Sequence, residues 1–349
     1  MLDGAARIPD AVAAAVNDGQ PALGITDHGN MYGVLDFYKG CNQHGIKPVI
    51  GTEAYMALES REERPARRGR KMDDSGGDTD DGSKLYYHLT LLAENNTGYS
   101  NLLKLSSRAF LEGYYYKPRM DWDLFQQHSS GLIATTGCLG SVVQQALLKG
   151  DYKGALDRAA RLQDIFGRDN LFIELQDHEL PEQRRNNPQL LEIARALNAP
   201  LLATNDLHYT HQHDAISHDA LLCVQTGSQM SDPDRFKFHG DHHYLKSARE
   251  MRDLFSELPE SCDNTLWIAE RADVNIEFGN VYLPDFPLPP EFESDDDYLR
   301  HLAFEGAKAR WGHRLSDEIV DRLGYELRVI ADMDFSAYFL ITWDLIRHA

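Results

Sequence analysis

Six short apolar runs, separated by stretches of helical periodicity, constrain this chain more than any other feature. The runs are PALGITD (21–27), KPVIGTEAYMA (47–57), LYYHLTLLA (85–93), GLIATTG (131–137), LFIELQD (171–177) and PLLATND (200–206). They read as buried strands. The intervening segments 30–44, 96–112, 140–167 and 181–197 carry apolar residues at helical spacing, and the first of these ends at Gly45. Strand–helix alternation of this kind predicts parallel βαβ units, in either a barrel or an open doubly wound sheet.

The strand ends favour the barrel. They carry Asp27-His28, Glu53, Cys138, Gln176-Asp177-His178, and Asp206 with His208, while His88 sits inside its run. In a barrel the C-terminal strand ends converge on one face; in an open sheet only the strands at the switch point do so. Neither GxGxxG nor GxxxxGK[ST] occurs, so nucleotide-binding loops of those kinds are not supported. His28, Glu53, His88, Cys138, Asp206 and His208 combine N, O and S donors, a mixture that suits Zn²⁺, Mn²⁺ or Fe²⁺ better than Mg²⁺. Asp206 and His208 are two residues apart and on a strand share one face. Six donors exceed one tetrahedral zinc, which implies two or three metals able to clamp the oxygens of a phosphoryl displacement. Taken singly, each residue has a structural reading: a satisfied polar side chain, or for Cys138 a small buried hydrophobe. Their convergence carries the metal reading.

Other motifs are weaker. His239, His242 and His243 are expected in a solvated loop. His211, His213 and His218 fall on a helical stretch, where one could support the donors. Tyr114, Tyr115 and Tyr116, before Lys117 and Arg119, either stack bases and hold phosphate or pack against the barrel. Residues 61–71 are basic and 73–82 acidic and Gly-rich, which reads as a flexible surface loop. Beyond residue 275 the pattern changes. VYLPDFPLPPEFESDDD (281–297) is linker chemistry, and 296–311 and 315–349 are helical in pattern. We therefore expect domains at 1–275 and 276–349.

Composition sets limits. A formal net charge of −20 argues against a free-standing, sequence-reading nucleic-acid binder, but not against a metal-dependent enzyme or an acidic module attached to a basic one. Cys41, Cys138, Cys223 and Cys262 form no CxxC pair, which fits a reducing compartment and a cytoplasmic protein. No apolar run approaches the ~20 residues that span a bilayer, and MLDGAARIPD lacks the layout of a signal peptide. Both ends read as interior to a longer protein: Asp3-Gly4 runs straight into a helix, and LITWDLIRHA stops inside an amphipathic stretch.

At ITDHGNMYGVLDFYKGC, GIKPVIGTEAY, HLTLLAENNTGYSNLLKLSS, EGYYYKPRMD, TGCLGS and ATNDLHY the chain resembles the N-terminal PHP (polymerase and histidinol phosphatase) domain of the bacterial replicative, C-family DNA polymerase III alpha subunits. The likeness covers essentially the whole chain, has an actinobacterial flavour, and extends to MDFSAYFLITWDLIRHA (333–349), which is similar to the start of that family's palm domain. It implies a distorted (β/α)7 barrel with up to nine ligands around a trinuclear centre. Seven carry over: Asp3, His28, Glu53, His88, Cys138, Asp206 and His208. Asp206, His208 and His28 would stand at the reacting centre, Asp27 would orient His28, and Lys117 and Arg119 would contact phosphate or DNA. The two remaining ligands belong to an HxH on a first strand that this sequence does not include. The resemblance further implies two or three divalent metals, Zn or Mn, in this centre and Mg²⁺ in a polymerase site beyond residue 349. It implies DNA primer-template, dNTPs, a sliding clamp and other replisome subunits as partners of the parent protein, with no membrane. Intact ligands imply a 3′–5′ proofreading exonuclease. The alternatives are a silent scaffold that docks a separate proofreading subunit, or a free-standing PHP phosphoesterase.

Overall fold

In a computed structural model, which describes residues 3–68, 78–79, 83–280 and 284–349, the six apolar runs become strands of one mixed sheet. In chain order the strands are β1 (Ala22–His28), β2 (Lys47–Met56), β3 (Arg67–Arg68), β4 (Asp78–Thr79), β5 (Tyr87–Ala93), β6 (Tyr114–Tyr115), β7 (Lys117–Met120), β8 (Leu132–Thr135), β9 (Leu171–Leu175) and β10 (Leu201–Ala203). The sheet runs β10-β9-β8-β5-β2-β7-β6, with β1 also on β2, and β3-β4 form a separate ribbon. The expected parallel pairs are β1 with β2, β8 with β9, and β9 with β10. β5 differs: it runs antiparallel to both β2 and β8. The β6–β7 hairpin was not expected from the sequence; it turns through Tyr116, whose φ of 61° is left-handed. Of the two charged stretches, residues 69–77 and 80–82 lie outside the described residues.

Alternation along the strands sorts the side chains. Leu89 and Leu91 of β5, Leu132 and Ala134 of β8, and Leu171 and Ile173 of β9 face a core that includes Leu102, Leu105, Val142, Leu162 and Leu190 of the surrounding helices. The opposite face holds Val49, Leu92, Ile133, Phe172 and Leu202, packed with Ile268 and Ala272 in and just after the helix Pro259–Arg271. Helices α1 (Ile8–Asn17) and α2 (Val34–His44) pack through Val12, Ala15, Phe37 and Cys41, and α3 (Asn96–Leu111) starts on an Asn95 side-chain cap. β1 and β10 line one cavity of about 1470 Å³, so the sheet curls into a distorted α/β barrel, and no strand among the described residues lies between those two edges. Segment 140–167 is two helices, Val142–Leu148 and Tyr152–Phe166.

The chain divides into compact units Met1–Asn275 and Ile276–Ala349. The second consists of helices Asp295–Trp311, Asp317–Asp332 and Ser336–His348, the first two capped by the Ser294 and Ser316 side chains. No helix among the described residues is long and apolar enough to cross a membrane.

Candidate metal centre

The reversal of β5 explains how His88, near the start of its strand, joins residues at the ends of others. In the antiparallel register Tyr55 pairs with His88, while the parallel register pairs His28 with Glu53. The early part of β5 therefore lies beside the late parts of β1 and β2. Immediately after His28 the chain must turn away. Gly29 does this with φ +67, and a Cβ there would stand 2.6 Å from the Tyr55 ring.

All seven expected ligands converge. Asp3, 2% exposed, faces His28 Nε2 at 3.2 Å and His208 Nε2 at 3.7 Å. Glu53 accepts a 2.6 Å hydrogen bond from His88 Nδ1 and lies 3.4 Å from His28 Nδ1. Cys138 Sγ is 3.5 Å from Glu53 Oε1 and 3.7 Å from His88 Nδ1. Asp206 Oδ1 lies 3.7 Å from His208 Nδ1. Asp3–His28–His208 and His28–Glu53–His88 each bring three donor atoms within 4.8 Å of one another. Buried carboxylates, imidazoles and a thiol gathered this closely fit divalent cations.

The electrostatics agree with a site built around positive charge. Burial alone would raise the Asp3 carboxyl, but His208 and His28 outweigh it and hold the group far below its ordinary range. Glu53 is held down at about 2 in the same way, against burial, by His28 and His88. Burial favours neutral His208, yet Asp206 and Asp3 push it up to about 9. Burial drives the Cys138 thiol well above its ordinary value, and the Glu53 and Asp206 carboxylates add to this. A thiolate there requires a cation beside it.

Asp206 sits in the left-handed region, with φ 44°. Its carbonyl accepts from His208 Nδ1 at 2.8 Å and from His243 Nδ1 at 3.2 Å. His243 thus corrects the solvated-loop reading: it is buried and stacks on His178 with ring centroids 3.8 Å apart, whereas His239 is exposed. His218 is the supporting histidine of its trio, donating from Nε2 to the Asp3 carbonyl at 2.7 Å.

Two further expectations are corrected. Asp27 does not orient His28: its Oδ2 accepts from Gly33 N at 2.8 Å, and Glu53 faces His28 Nδ1 instead. Adjacent strand residues point to opposite faces. Arg119 does not face the cavity. It is 1% exposed, and its guanidinium donates to the carbonyls of Arg61, Glu63 and Gly113. Arg61, at the start of the basic stretch, pairs with Glu112 and Asp121. Lys117 does line the cavity, donating to the Tyr55 hydroxyl at 3.0 Å.

The sequence reading also missed Glu174. This buried residue lines the cavity and accepts hydrogen bonds from Thr135, from Thr204 at 2.5 Å and from Gln176 at 3.0 Å. Burial raises its carboxyl despite these donors. The i, i+2 spacing of Glu174 and Gln176 in a strand was the available signal.

Comparison with known proteins adds the following. The PHP domain model matches residues 1–178, and that of the bacterial DNA polymerase III alpha NTPase domain matches 297–349. A DNA polymerase III subunit alpha of Treponema pallidum is 45% identical over 350 residues, 100% of this chain and 29% of that protein. The subunit of the same name from Mycobacterium tuberculosis is 46% identical over 361 residues, 100% of this chain and 30% of that protein. The one from Thermus aquaticus is 43% identical over 325 residues, 91% of this chain and 26% of that protein. The chain therefore spans less than a third of the length of these relatives. Among solved structures, an amidohydrolase from Chromobacterium violaceum aligns with 60% of this chain and 84% of its own at 12% identity, with a TM-score of 0.35.

Proposed function

The chain belongs to the PHP domain family, and from that premise we propose that its cavity is a divalent-metal centre for phosphodiester hydrolysis, acting as a 3′–5′ exonuclease on DNA. The observation that carries this is the convergence of Asp3, His28, Glu53, His88, Cys138, Asp206 and His208, of which all but His88 line a cavity open to solvent. We place the chain in the N-terminal part of a replicative DNA polymerase III alpha subunit, with residues 1–275 as the PHP domain and 276–349 as linker and the beginning of the palm. Polymerization, Mg²⁺ at the polymerase site, dNTPs, primer-template, the clamp, other replisome subunits and a cytoplasmic setting belong to that parent protein.

Asp3 and His208 would hold one cation and Glu53, His88 and Cys138 another, with His28 able to serve either one through Nε2 or Nδ1 and Asp206 beside His208. Zinc or manganese suits these donors. When bound, such metals supply Lewis-acid stabilisation of a phosphodiester's developing charge. The protein's own part is positioning. Hydrogen bonding by the Asp206 carbonyl fixes His208 with Nδ1 protonated, which leaves the Nε2 lone pair, on the side of Asp3, free to meet a cation. His88 Nδ1 and Glu53 fix each other. Lys117 holds a cation on the wall, beside Tyr55, where a phosphate oxygen can meet it.

The test is elemental analysis of the purified chain after zinc or manganese loading, together with digestion of a 5′-labelled single-stranded oligonucleotide. We expect bound metal and stepwise shortening from the 3′ end, both lost on chelation. A chain that binds no metal and leaves the oligonucleotide intact overturns the proposal in favour of a scaffold.

A further inference from the structure

The cavity rim carries a row of aromatic rings that the hydrolytic chemistry leaves unused. Tyr32 lies in the loop between β1 and α2, just after His28. Its ring faces that of Phe110, near the end of α3, with centroids 6.5 Å and planes 29° apart. Phe110 faces Tyr114 of β6 at 6.1 Å and 21°. Three rings from three elements share nearly one orientation at the surface: Tyr32 is 80% exposed and Tyr114 56%, with the half-buried Phe110, 38% exposed, between them. A contiguous aromatic surface in water marks a binding surface more often than an accident of packing.

The row is continuous with the donor cluster. Tyr32, Phe110 and Tyr114 line the same cavity as Asp3, His28, Glu53, Cys138 and His208. Between the two stand Tyr55, whose ring lies 6.0 Å from that of His28, and Lys117, whose Nζ is 4.7 Å from the Tyr55 ring centroid.

We infer that Tyr32, Phe110 and Tyr114 form a stacking ledge for the unpaired bases of a single-stranded nucleic acid, whose terminal phosphodiester reaches the donor cluster past Lys117. This rests on the proposed phosphodiester hydrolysis and adds how its substrate is held. The occupant follows from the geometry. A duplex hides its base faces in its own stack and offers only edges in its grooves, so a row of ring faces suits unpaired bases. The formal net charge of −20 opposes the electrostatic part of nucleic-acid binding, which leaves Lys117 and stacking on the rings to supply the affinity. Every base has a π-face, so such a ledge is indifferent to sequence.

The experiment titrates a 5′-fluorescein oligothymidylate with the whole chain in EDTA, read by fluorescence anisotropy, so that neither metal nor hydrolysis contributes. Tyr32→Ala, Phe110→Ala and Tyr114→Ala are each expected to weaken binding by about 5- to 100-fold, with Phe110→Trp retaining it. A duplex of equal length is expected to bind weakly and to be insensitive to the substitutions. Wild-type affinity in the triple alanine variant overturns the ledge, as does failure of the unaltered chain to bind the oligonucleotide. Equal losses for duplex and single strand, or altered self-association with unchanged oligonucleotide affinity, also overturn it. Unchanged melting temperatures, expected for exposed rings, exclude misfolding as the cause of lost binding. Hydrolysis of thymidine 5′-monophosphate p-nitrophenyl ester, too small to need a ledge, separates the two readings. If the metal-loaded chain cleaves the ester while the ledge variants bind DNA normally, the ledge falls and the hydrolytic reading stands. If the ledge binds DNA as expected but the ester survives and no metal binds, the hydrolytic reading falls and the ledge stands.

Discussion

Replacing Arg119 by methionine separates a buried tie from a phosphate contact. The guanidinium gathers three carbonyls from two segments: Nη2 donates to those of Arg61 at 2.9 Å and Glu63 at 2.5 Å, and Nε to that of Gly113 at 3.2 Å. Its 3.5 Å approach to the Leu85 carbonyl adds little. Burial and the nearby Arg64 charge lower its pKa to about 10, which still leaves it a cation at neutral pH. Hydrogen bonds from a charged donor contribute about 1.5–3 kcal/mol each. Methionine fills the stem volume but strands three carbonyls, so the gross loss is roughly 4–9 kcal/mol. Releasing a buried charge returns several kcal/mol of desolvation, for a net loss of about 3 kcal/mol. In a unit of this size that lowers the melting temperature by roughly 5–10 °C, read by far-ultraviolet circular dichroism. Arg119→Lys should fall between, because an ammonium cannot span the three acceptors as a planar fork does. Each phosphate contact contributes about 0.7 to the salt slope of single-strand binding, and Arg119→Met should leave that slope unchanged. An unshifted melting temperature together with a slope reduced by about 0.7 would refute the reasoning and return Arg119 to the nucleic-acid surface.

Three further outcomes are expected. In the metal-loaded chain, Asp206→Asn should lower both bound metal and 3′-terminal release, with variant and wild type melting alike when both are metal-free, and normal release by this variant would remove Asp206 from the centre. Cys138→Ser should lower bound metal and Cys138→His should partly restore it; equal metal content in all three proteins at equal stability would make Cys138 a packing residue. The Asp219 carboxyl is held below its ordinary 3.8 by the Arg235 guanidinium, so its ionised form stabilises the fold above that value and the benefit fades as pH falls through the lowered one. Asp219→Asn should therefore melt lower than wild type at neutral pH, with the gap closing below the ordinary aspartate range; a gap independent of pH would assign the effect to something other than charge.

The barrel strands were legible because strands buried on both faces are mostly apolar along their length, as β2 is from Pro48 to Met56, where every residue is buried. His28, Asp206 and His208 were legible because they punctuate or follow the ends of such runs, and Glu53 because it interrupts one. The direction of β5 was not, since an apolar run has no polarity, and so His88 looked misplaced inside its strand until the antiparallel register was seen. His243 lay hidden for another reason: it follows Tyr209 in space through the Tyr209–Tyr244 bridge but stands far from it in sequence, in a loop with no periodicity to read. Arg119 misled because arginines are rarely buried, and a four-residue strand gives too short a pattern to place one. The Asp27 error was avoidable, since neighbouring strand residues cannot face the same side.

The left-handed backbone at Asp206 bears on how such a domain evolves. Asparagine is among the few residues that enter this region as readily as aspartate. An aspartate codon becomes an asparagine codon through one base change. The step keeps the turn, and keeps the main-chain carbonyl on which two imidazoles rest, while deleting the charge. Most mutations that disarm a buried site also damage the fold and are removed for that reason. Here a lineage can shed the chemistry and retain the architecture in a single step, after which the remaining donors are free to drift. Silent barrels of this kind should carry asparagine at this position early in their history, with losses at Asp3, Glu53 or His88 following later.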